Sequence, residues 1–134
     1  MTSAYRTDRT VFVSGFGLTQ PLPVVVSPDD TFDVSDQQLA VPASTLTTIA
    51  TYTNSTGGPV FLDGWHGTGQ YEGDWFVAVD SVVRPEDRSS ASTMRSGVQF
   101  TTPRRIENGS IVDIKVQHYG AGTGQFSATL FFHK

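Results

Sequence analysis

The sequence predicts an all-β protein, an antiparallel β-sandwich preceded by an extended N-terminal arm. One observation is composition: charged residues make up 16% of the 134 residues, against about 25% in an average globular domain. Ser and Thr fill the difference, and Thr favours strands while Ser favours turns. A second observation is that short apolar runs alternate with turn residues along the chain. A third is that no helix-length segment has an apolar period of 3.6 residues.

Three strands are predicted in the first half of the sandwich. Thr45–Thr53 is rich in β-branched residues and ends at a turn cluster, residues 54–59. Val60–Trp65 follows, and the glycine within it is typical of a strand at the rim of a sheet. Asp74–Asp80 is the next strand. The glycines between Val60–Trp65 and Asp74–Asp80 therefore predict a tight connection between these two strands.

The second half continues the pattern. Asp80–Pro85 predicts a hairpin turn and a short edge strand, Gly97–Pro103 predicts another strand, and Asn108-Gly109 predicts the next hairpin turn. In the last two strands apolar and polar residues alternate, as in strands with one buried and one solvated face. The apolar positions are Val112, Ile114 and Val116, then Phe126, Ala128, Leu130 and Phe132. Short strands at this regular spacing indicate a sandwich of jelly-roll-like type.

The beginning of the chain differs in character, which divides it into an N-terminal arm, residues 1–44, and a sandwich domain, residues 45–134. The apolar runs of the arm are short and are broken by Gly and Pro, so it has little core of its own. It could add strands to the sandwich or reach over a neighbouring subunit. Pro21, Pro23 and Pro28 disfavour a central strand, which favours the intersubunit alternative.

Charge and cysteine content argue against several classes of function. The formal net charge is −4 and the only paired basic residues are Arg104-Arg105, so we expect no nucleic-acid partner. No apolar run approaches the ~20 residues that cross a bilayer. Residues 1–10 lack the pattern of a secretory signal, so we expect synthesis in a cytosol and no membrane association. Without cysteine, disulfide and thiolate chemistry are excluded.

The stretch FLDGWHGTGQYEGDWF, residues 61–76, is the densest set of candidate reactive groups. Its HGTG and GTGQYEG could suggest an oxyanion loop or a dinucleotide loop. However, a strand follows instead of a helix, and no G-x-S-x-G elbow is present. Asp63 and His66 could form part of a charge relay, but no Ser or Cys is placed to be the nucleophile. We therefore predict no catalytic residue and no enzymatic activity.

Metal and cofactor sites are not predicted either. His118 and His133 are too far apart in sequence for a ligand pair, and His118 lies on the apolar phase of its strand, which favours a core or rim histidine. Glu72 and Asp74 could belong to a calcium or glycosidase site, but a solvated rim is the default because no D-x-D-x-D-G pattern is present.

Two Asn-containing tripeptides, Asn54-Ser55-Thr56 and Asn108-Gly109-Ser110, match the N-glycosylation acceptor pattern. Both also carry strong turn residues. Because no secretory signal is recognised, we interpret them as turns.

Aromatic residues in and near residues 61–76 offer a possible contact rim. Trp65, His66, Tyr71 and Tyr119 could stack against a sugar, since aromatic faces bind the apolar side of sugars. The alternative is that Trp65 caps one end of the sandwich and Trp75 belongs to the core, because aromatic residues dominate cores in general.

Two longer runs of the sequence, residues 51–90 and 100–132, resemble a small β-sandwich module of tailed-bacteriophage virion proteins. The shared pattern consists of a T-Y-T strand, an aromatic-glycine strand, a hairpin, a strand ending in H-Y and a closing G-x-F-x-A-T strand. These correspond to Thr51–Thr53, Phe61–Gly64, Asp74–Arg84, Gly109–Tyr119 and Gly124–Thr129. The turn STGGPV, residues 55–60, replaces the usual P-A-G-K turn, and residues 1–44 have no counterpart.

The resemblance implies a non-enzymatic virion protein that is made in the host cytoplasm. Such modules serve as capsid decoration (cement) or head- and neck-associated proteins, here expected to be a homotrimer bound to the major capsid protein or another virion protein. The alternative is a receptor- or glycan-binding module at a tail or fibre tip. The residues predicted to make subunit contacts are Val24, Val25 and Val26 in the arm, and Phe76 and Phe131 on solvated strand faces.

Overall fold

The computed structural model describes residues 30–89 and 94–134, which form eight β-strands and no α-helix. The strands are β1 (Thr31–Val41), β2 (Thr47–Thr53), β3 (Val60–Gly69), β4 (Gly73–Val79), β5 (Val82–Arg88), β6 (Arg95–Ile106), β7 (Ile111–His118) and β8 (Gly124–His133). The prediction of an all-β protein is confirmed. Within this part of the chain, no helix is long and apolar enough to span a membrane.

The strands form two four-stranded antiparallel sheets, in the orders β1-β8-β3-β6 and β2-β7-β4-β5. Four of the pairings are nested: β1 with β8, β2 with β7, β3 with β6 and β4 with β5. This is the pairing of one long hairpin, and winding it into two layers adds the pairs β3–β8 and β4–β7. The core lies between the layers, so the molecule is a β-sandwich.

The core follows the predicted alternation in the last two strands. Every second residue of β7 and of β8 is buried, because these residues face the other sheet. A row of five rings runs through the core, in the order Tyr71, His118, Phe126, Trp75 and Trp65, with neighbouring centroids 4.9–6.1 Å apart. Among the described residues, the indole N–H groups of Trp65 and Trp75 have no hydrogen-bond partner.

Part of the predicted arm belongs to the sandwich. β1 pairs with β8 of the same chain, and Val41 at the end of β1 is fully buried. The carbonyl oxygen of Val41 lies 2.8 Å from His118 Nε2 in β7, which joins the end of β1 to the other sheet. Of the two alternatives for the arm, β1 therefore supports the one in which the arm adds a strand to the sandwich. The remainder of the arm, residues 1–29, lies outside the described residues.

The glycines of HGTG lie in a strand, so their prediction as turn residues is wrong. β3 continues to Gly69, and the connection to β4 is only residues 70–72. A Cβ atom on Gly67 would lie 2.5 Å from the Trp75 ring, and one on Gly69 would lie 2.1 Å from the Phe126 ring. These positions are glycine because aromatic rings occupy the space of a side chain.

The predicted hairpin between β4 and β5 is confirmed. Val79 pairs with Val82, which leaves Asp80 and Ser81 as the two loop residues, both with positive φ. Positive φ at both positions is the signature of a type I′ turn. The Asp80 carboxylate accepts hydrogen bonds from the Ile111 N–H and the Ser110 hydroxyl, which lower the pKa of Asp80. The turn is thus tied to the start of β7.

β5 is longer than predicted and continues through Pro85 to Arg88. Pro85 is tolerated because β5 lies at the edge of its sheet, where a missing N–H breaks no ladder bond. β6 is also longer than predicted at both ends.

Asn54 joins two loops at one end of the sandwich. Its buried Nδ2 donates to the carbonyl oxygens of Gly58 and Ile106, and its Oδ1 accepts from the N–H and the hydroxyl of Thr56. Its backbone also bonds to the turn between β6 and β7, through Gly109 and Ser110. The amide is therefore a structural group, in agreement with its interpretation as a turn residue.

We predict that Gly67→Ala lowers the free energy of unfolding by about 2 kcal/mol, because the new methyl group overlaps the Trp75 ring. Denaturant unfolding followed by tryptophan fluorescence measures the change. Gly122→Ala is the matched control, since a Cβ there meets nothing within 4 Å. Equal stability of the two variants would contradict the packing argument.

We predict that Asn54→Asp destabilises the fold by about 3 kcal/mol, because a carboxylate cannot donate to the two buried carbonyl groups. Asn108→Asp should change stability by less than about 0.5 kcal/mol. Its Oδ1 only accepts a bond, from the Gly57 N–H, and an aspartate preserves this. Thermal unfolding of both variants tests the difference, and a similar loss in each would refute it.

Candidate contact site

The outer face of the β1-β8-β3-β6 sheet, here called the β8 face, carries a depression of about 730 Å³. Its floor is formed in part by Gly64 of β3 and Gly97 of β6. Both residues contribute only backbone to the lining. The lining residues are Asp63, Gly64, Trp65, His66, Arg95, Ser96, Gly97, Val98, Gln99 and Phe131.

Irregular strand pairing shapes this depression. Leu62 pairs with Arg104, but Gly64, two residues later, pairs with Gln99, so β6 contains a large bulge over residues 100–103. The β6 backbone also approaches β3 closely, since a Cβ atom on Gly64 would lie 2.4 Å from the carbonyl oxygen of Val98. Glycine is required at this position for the bulged strand to pair with β3.

Phe131 forms the wall of the depression on the β8 side. It pairs with Gly64, and its side chain is 41% exposed. On the other side of the ring is a second hollow of about 410 Å³, which reaches Asp33 of β1 and shares Asp63 and Phe131 with the first. An exposed aromatic ring therefore stands between two hollows on the solvated face of β8, and its role in subunit contact stays a prediction.

The polar groups at the site fall into two sets. Asp63 accepts hydrogen bonds of 2.7 and 2.9 Å from His133 Nδ1, and the His133 ring stacks on Phe61 at 5.0 Å. Asp63 is thus bonded to His133 and forms no relay with His66. In contrast, the side chains of His66, Arg95 and Gln99 have no hydrogen-bond or ion-pair partner in the described part of the chain. They could bond to a ligand without breaking an internal contact.

The four residues predicted to form an aromatic rim do not lie together. Trp65 is 2% exposed and packs on Trp75, so it offers no face to a ligand. This corrects its assignment to a rim, and the cause is the inward phase of β3 at that position. Tyr71 stacks on His118 at 5.1 Å, and Tyr119 is 55% exposed at the same end of the sandwich. Of the four, Trp65 and His66 line the depression, and only His66 is exposed there.

The other predicted contact residues have different outcomes. Phe76 is half-buried on the outer face of the second sheet, between Lys115 and Pro85. Val24, Val25 and Val26 lie outside the described residues. The structure adds exposed apolar residues that the sequence did not single out, namely Leu39, Leu46, Val82, Val83 and Ile111. Strand alternation alone could not identify them, because Val82 and Val83 point to opposite faces and both are exposed.

Of the remaining candidate residues, His118 and Asp74 are held in structural contacts, whereas Glu72 is exposed. His118 is fully buried; its Nδ1 accepts a bond from the Gly120 N–H, and its Nε2 bonds to β1 as described. Asp74 pairs with Arg88 at 2.7 Å, which raises the pKa of Arg88. Within residues 30–89 and 94–134, no group of three His, Asp or Glu side chains could hold a metal ion.

Comparison with known proteins adds no relative. No family model matches the chain, and searches of curated proteins and of solved structures return no significant match. The resemblance of residues 51–90 and 100–132 to a bacteriophage module therefore stays a prediction.

Alanine variants of two adjacent phenylalanines test whether the Phe131 ring on the β8 face contributes to the stability of the fold. Phe132 is 1% exposed in the core, so Phe132→Ala should cost about 4 kcal/mol of unfolding free energy. Phe131→Ala should cost less than about 1 kcal/mol, because the ring stands on the outer face. Urea denaturation of both variants gives the two values. A large loss for Phe131→Ala would show that this ring stabilises the fold.

Proposed function

We propose that this protein is a non-enzymatic structural component of a bacteriophage virion. It acts as a capsid decoration (cement) or head- or neck-associated protein that stabilises the particle through contacts with further copies of itself and with the major capsid or another virion protein. It is made in the host cytoplasm and assembles as a homo-oligomer, with a trimer favoured because trimers suit the local three-fold positions of a capsid.

The nested strand pairing is the observation that carries this proposal. Winding a long hairpin into the sheet orders β1-β8-β3-β6 and β2-β7-β4-β5 is how a jelly roll is built. Jelly rolls are the architecture of many viral capsid domains. The likeness of residues 51–90 and 100–132 to virion modules points the same way.

The surface also favours a contact protein. Apolar side chains are exposed on strands, at Phe131 on the β8 face and at Val82 and Val83 on the edge strand β5. Exposed edge strands and apolar residues on strand faces are sites where further chains can bind. A decoration protein needs such sites and needs no reactive group.

A second candidate function is glycan binding by the depression on the β8 face, as expected of a tail or fibre tip module. Jelly rolls also form lectin domains. The observation in favour is the lining: the exposed Phe131 ring, Asp63, and the side chains of His66, Arg95 and Gln99, which have no partner among the described residues. An aromatic face with a few convergent polar groups is typical of a ligand site. The site differs from the sequence-based rim, since Tyr71 and Tyr119 do not line it and the Trp65 side chain is buried.

Binding assays separate the two functions. The decoration function predicts saturable binding to expanded, empty capsids of the parent phage, with Phe131→Ala weakening it about tenfold or more if the β8 face is the contact. Tyr119→Ala is the matched control, an exposed aromatic at the end of the sandwich. Binding to host cells or to a glycan array, without capsid binding, would support the tip module and contradict decoration.

A further inference from the structure

The β8 face contains a regular patch in which all four strands of the sheet are in register. One row across the patch runs from Asp33 of β1 through Phe131 and Gly64 to Gln99 of β6. A second row, four residues further along the strands, ends at Arg95 of β6. The irregular pairings of these strands lie outside the two rows. The relative positions of the side chains therefore follow from the ordinary spacings of a sheet.

Opposite charges stand at opposite corners of this patch. Asp33 points outwards, because the residues on either side of it pack against the core. Arg95 also points outwards, because the next residue, Ser96, bonds to Asp87 of the other sheet. Both charged residues are exposed, and neither has a side-chain partner among the described residues. Three strand spacings and four residues of rise put them about 20 Å apart.

The same patch carries a projecting ring and a hollow. The Phe131 ring is 41% exposed, and the depression of about 730 Å³ beside it has Gly64 and Gly97 in its floor. A second copy of the chain brings a ring that can enter this hollow, together with a hollow that can take the ring of the first copy. A surface that contains features and their complements is what an isologous, two-fold interface requires.

We propose that two copies of this chain pair through their β8 faces about a two-fold axis. Phe131 of each copy enters the depression of the other, and Asp33 of each copy pairs with Arg95 of the other. The inference rests on the homo-oligomeric contacts proposed above and names the surface that makes one of them. A two-fold contact yields dimers of the chain, or pairs of trimers if a three-fold contact also forms.

One rotation produces both contacts. Its axis lies between the two faces, perpendicular to the line from Asp33 to Arg95. With strands about 4.8 Å apart and residues about 3.4 Å apart, this axis places Asp33 over Arg95 of the other copy and Phe131 within about 2 Å of the point over Gly97. The strands of the two copies then cross at about 90°, which is one of the two angles at which sheets pack face to face.

The two kinds of contact contribute differently. The ring supplies affinity, because its burial removes apolar surface from water. The ion pairs lie at the rim, where solvent weakens them, so they mainly determine the orientation of the two copies. Two four-stranded sheets crossed at right angles overlap over a square of roughly 19 Å on a side. This is smaller than a standard interface, so we expect dissociation in the micromolar range.

Charge reversal tests the two-fold geometry in the full-length chain, with sedimentation equilibrium as the measurement. Asp33→Arg places two cations at each corner contact, and Arg95→Asp places two carboxylates there. Each variant alone should pair at least about tenfold more weakly than wild type at low salt. In an equimolar mixture of the two variants, both corner contacts of a mixed pair join opposite charges. We expect the mixture to pair within about threefold of the wild-type affinity.

Matched variants identify the β8 face as the cause. Asp36→Arg makes the same change on β1, but Asp36 is exposed on the opposite face, since it pairs with the buried Ala128. It should leave pairing unchanged. Phe131→Ala should weaken pairing about tenfold or more, and Tyr119→Ala, an exposed aromatic at the end of the sandwich, should not. Thermal unfolding of every variant establishes that the fold is retained.

Three results would overturn the proposal. They are a wild-type chain that shows no two-fold association up to ~1 mM, equal effects of Asp33→Arg and Asp36→Arg, and a mixture that pairs no better than its separate components. Capsid binding by the same samples separates this proposal from the proposed function. A chain that binds capsids without pairing contradicts the two-fold contact and leaves decoration standing. A chain that pairs as expected but binds no capsid supports the two-fold contact and contradicts decoration.

Discussion

The row of five rings between the sheets is the packing interaction on which the rest of the structure depends. Trp65 and Phe126 come from one sheet, Trp75 and His118 from the other, and Tyr71 from the connection between β3 and β4. Large aromatic side chains dominate the energy of a small core. Their size also requires space on β3, which carries Gly67 opposite Trp75 of the other sheet and Gly69 beside Phe126 of the neighbouring strand β8. The large rings of the core therefore also determine which positions of β3 must be glycine.

The same row determines what faces solvent. With Trp65 turned inwards, its neighbours on the outer face are His66 and Gly64, and both line the depression beside Phe131. Next to Tyr71 in the row, His118 bonds to β1 and to the loop after β7. Hollows therefore arise where the sandwich is incomplete: beside Gly64 and Gly97 on the β8 face and between the edge strands β5 and β6. Both suit a protein that works by binding other chains or sugars.

Much of the fold was predictable because strand patterns are local. The alternation in β7 and β8, the hairpin turn at Asp80-Ser81 and the turn at Asn108-Gly109 depend on residues close in sequence. The candidate site was predictable only in part. Phe131 stood out because it breaks an alternating strand. Trp65 was misplaced because an aromatic among glycines looks the same from sequence whether it faces a core or a rim.

The sequence by itself determined the all-β class, most strand positions, the lack of thiol chemistry and the acidic charge, since these follow from composition and from contacts between near neighbours. Only the tertiary structure decided which glycines make room for rings, that Asp63 bonds to His133, and that Asp87 and Glu86 bridge to the other sheet. The physical reason is that these contacts join strands distant in sequence. Their geometry depends on register and on bulges, and one residue of slip exchanges the two faces of a strand.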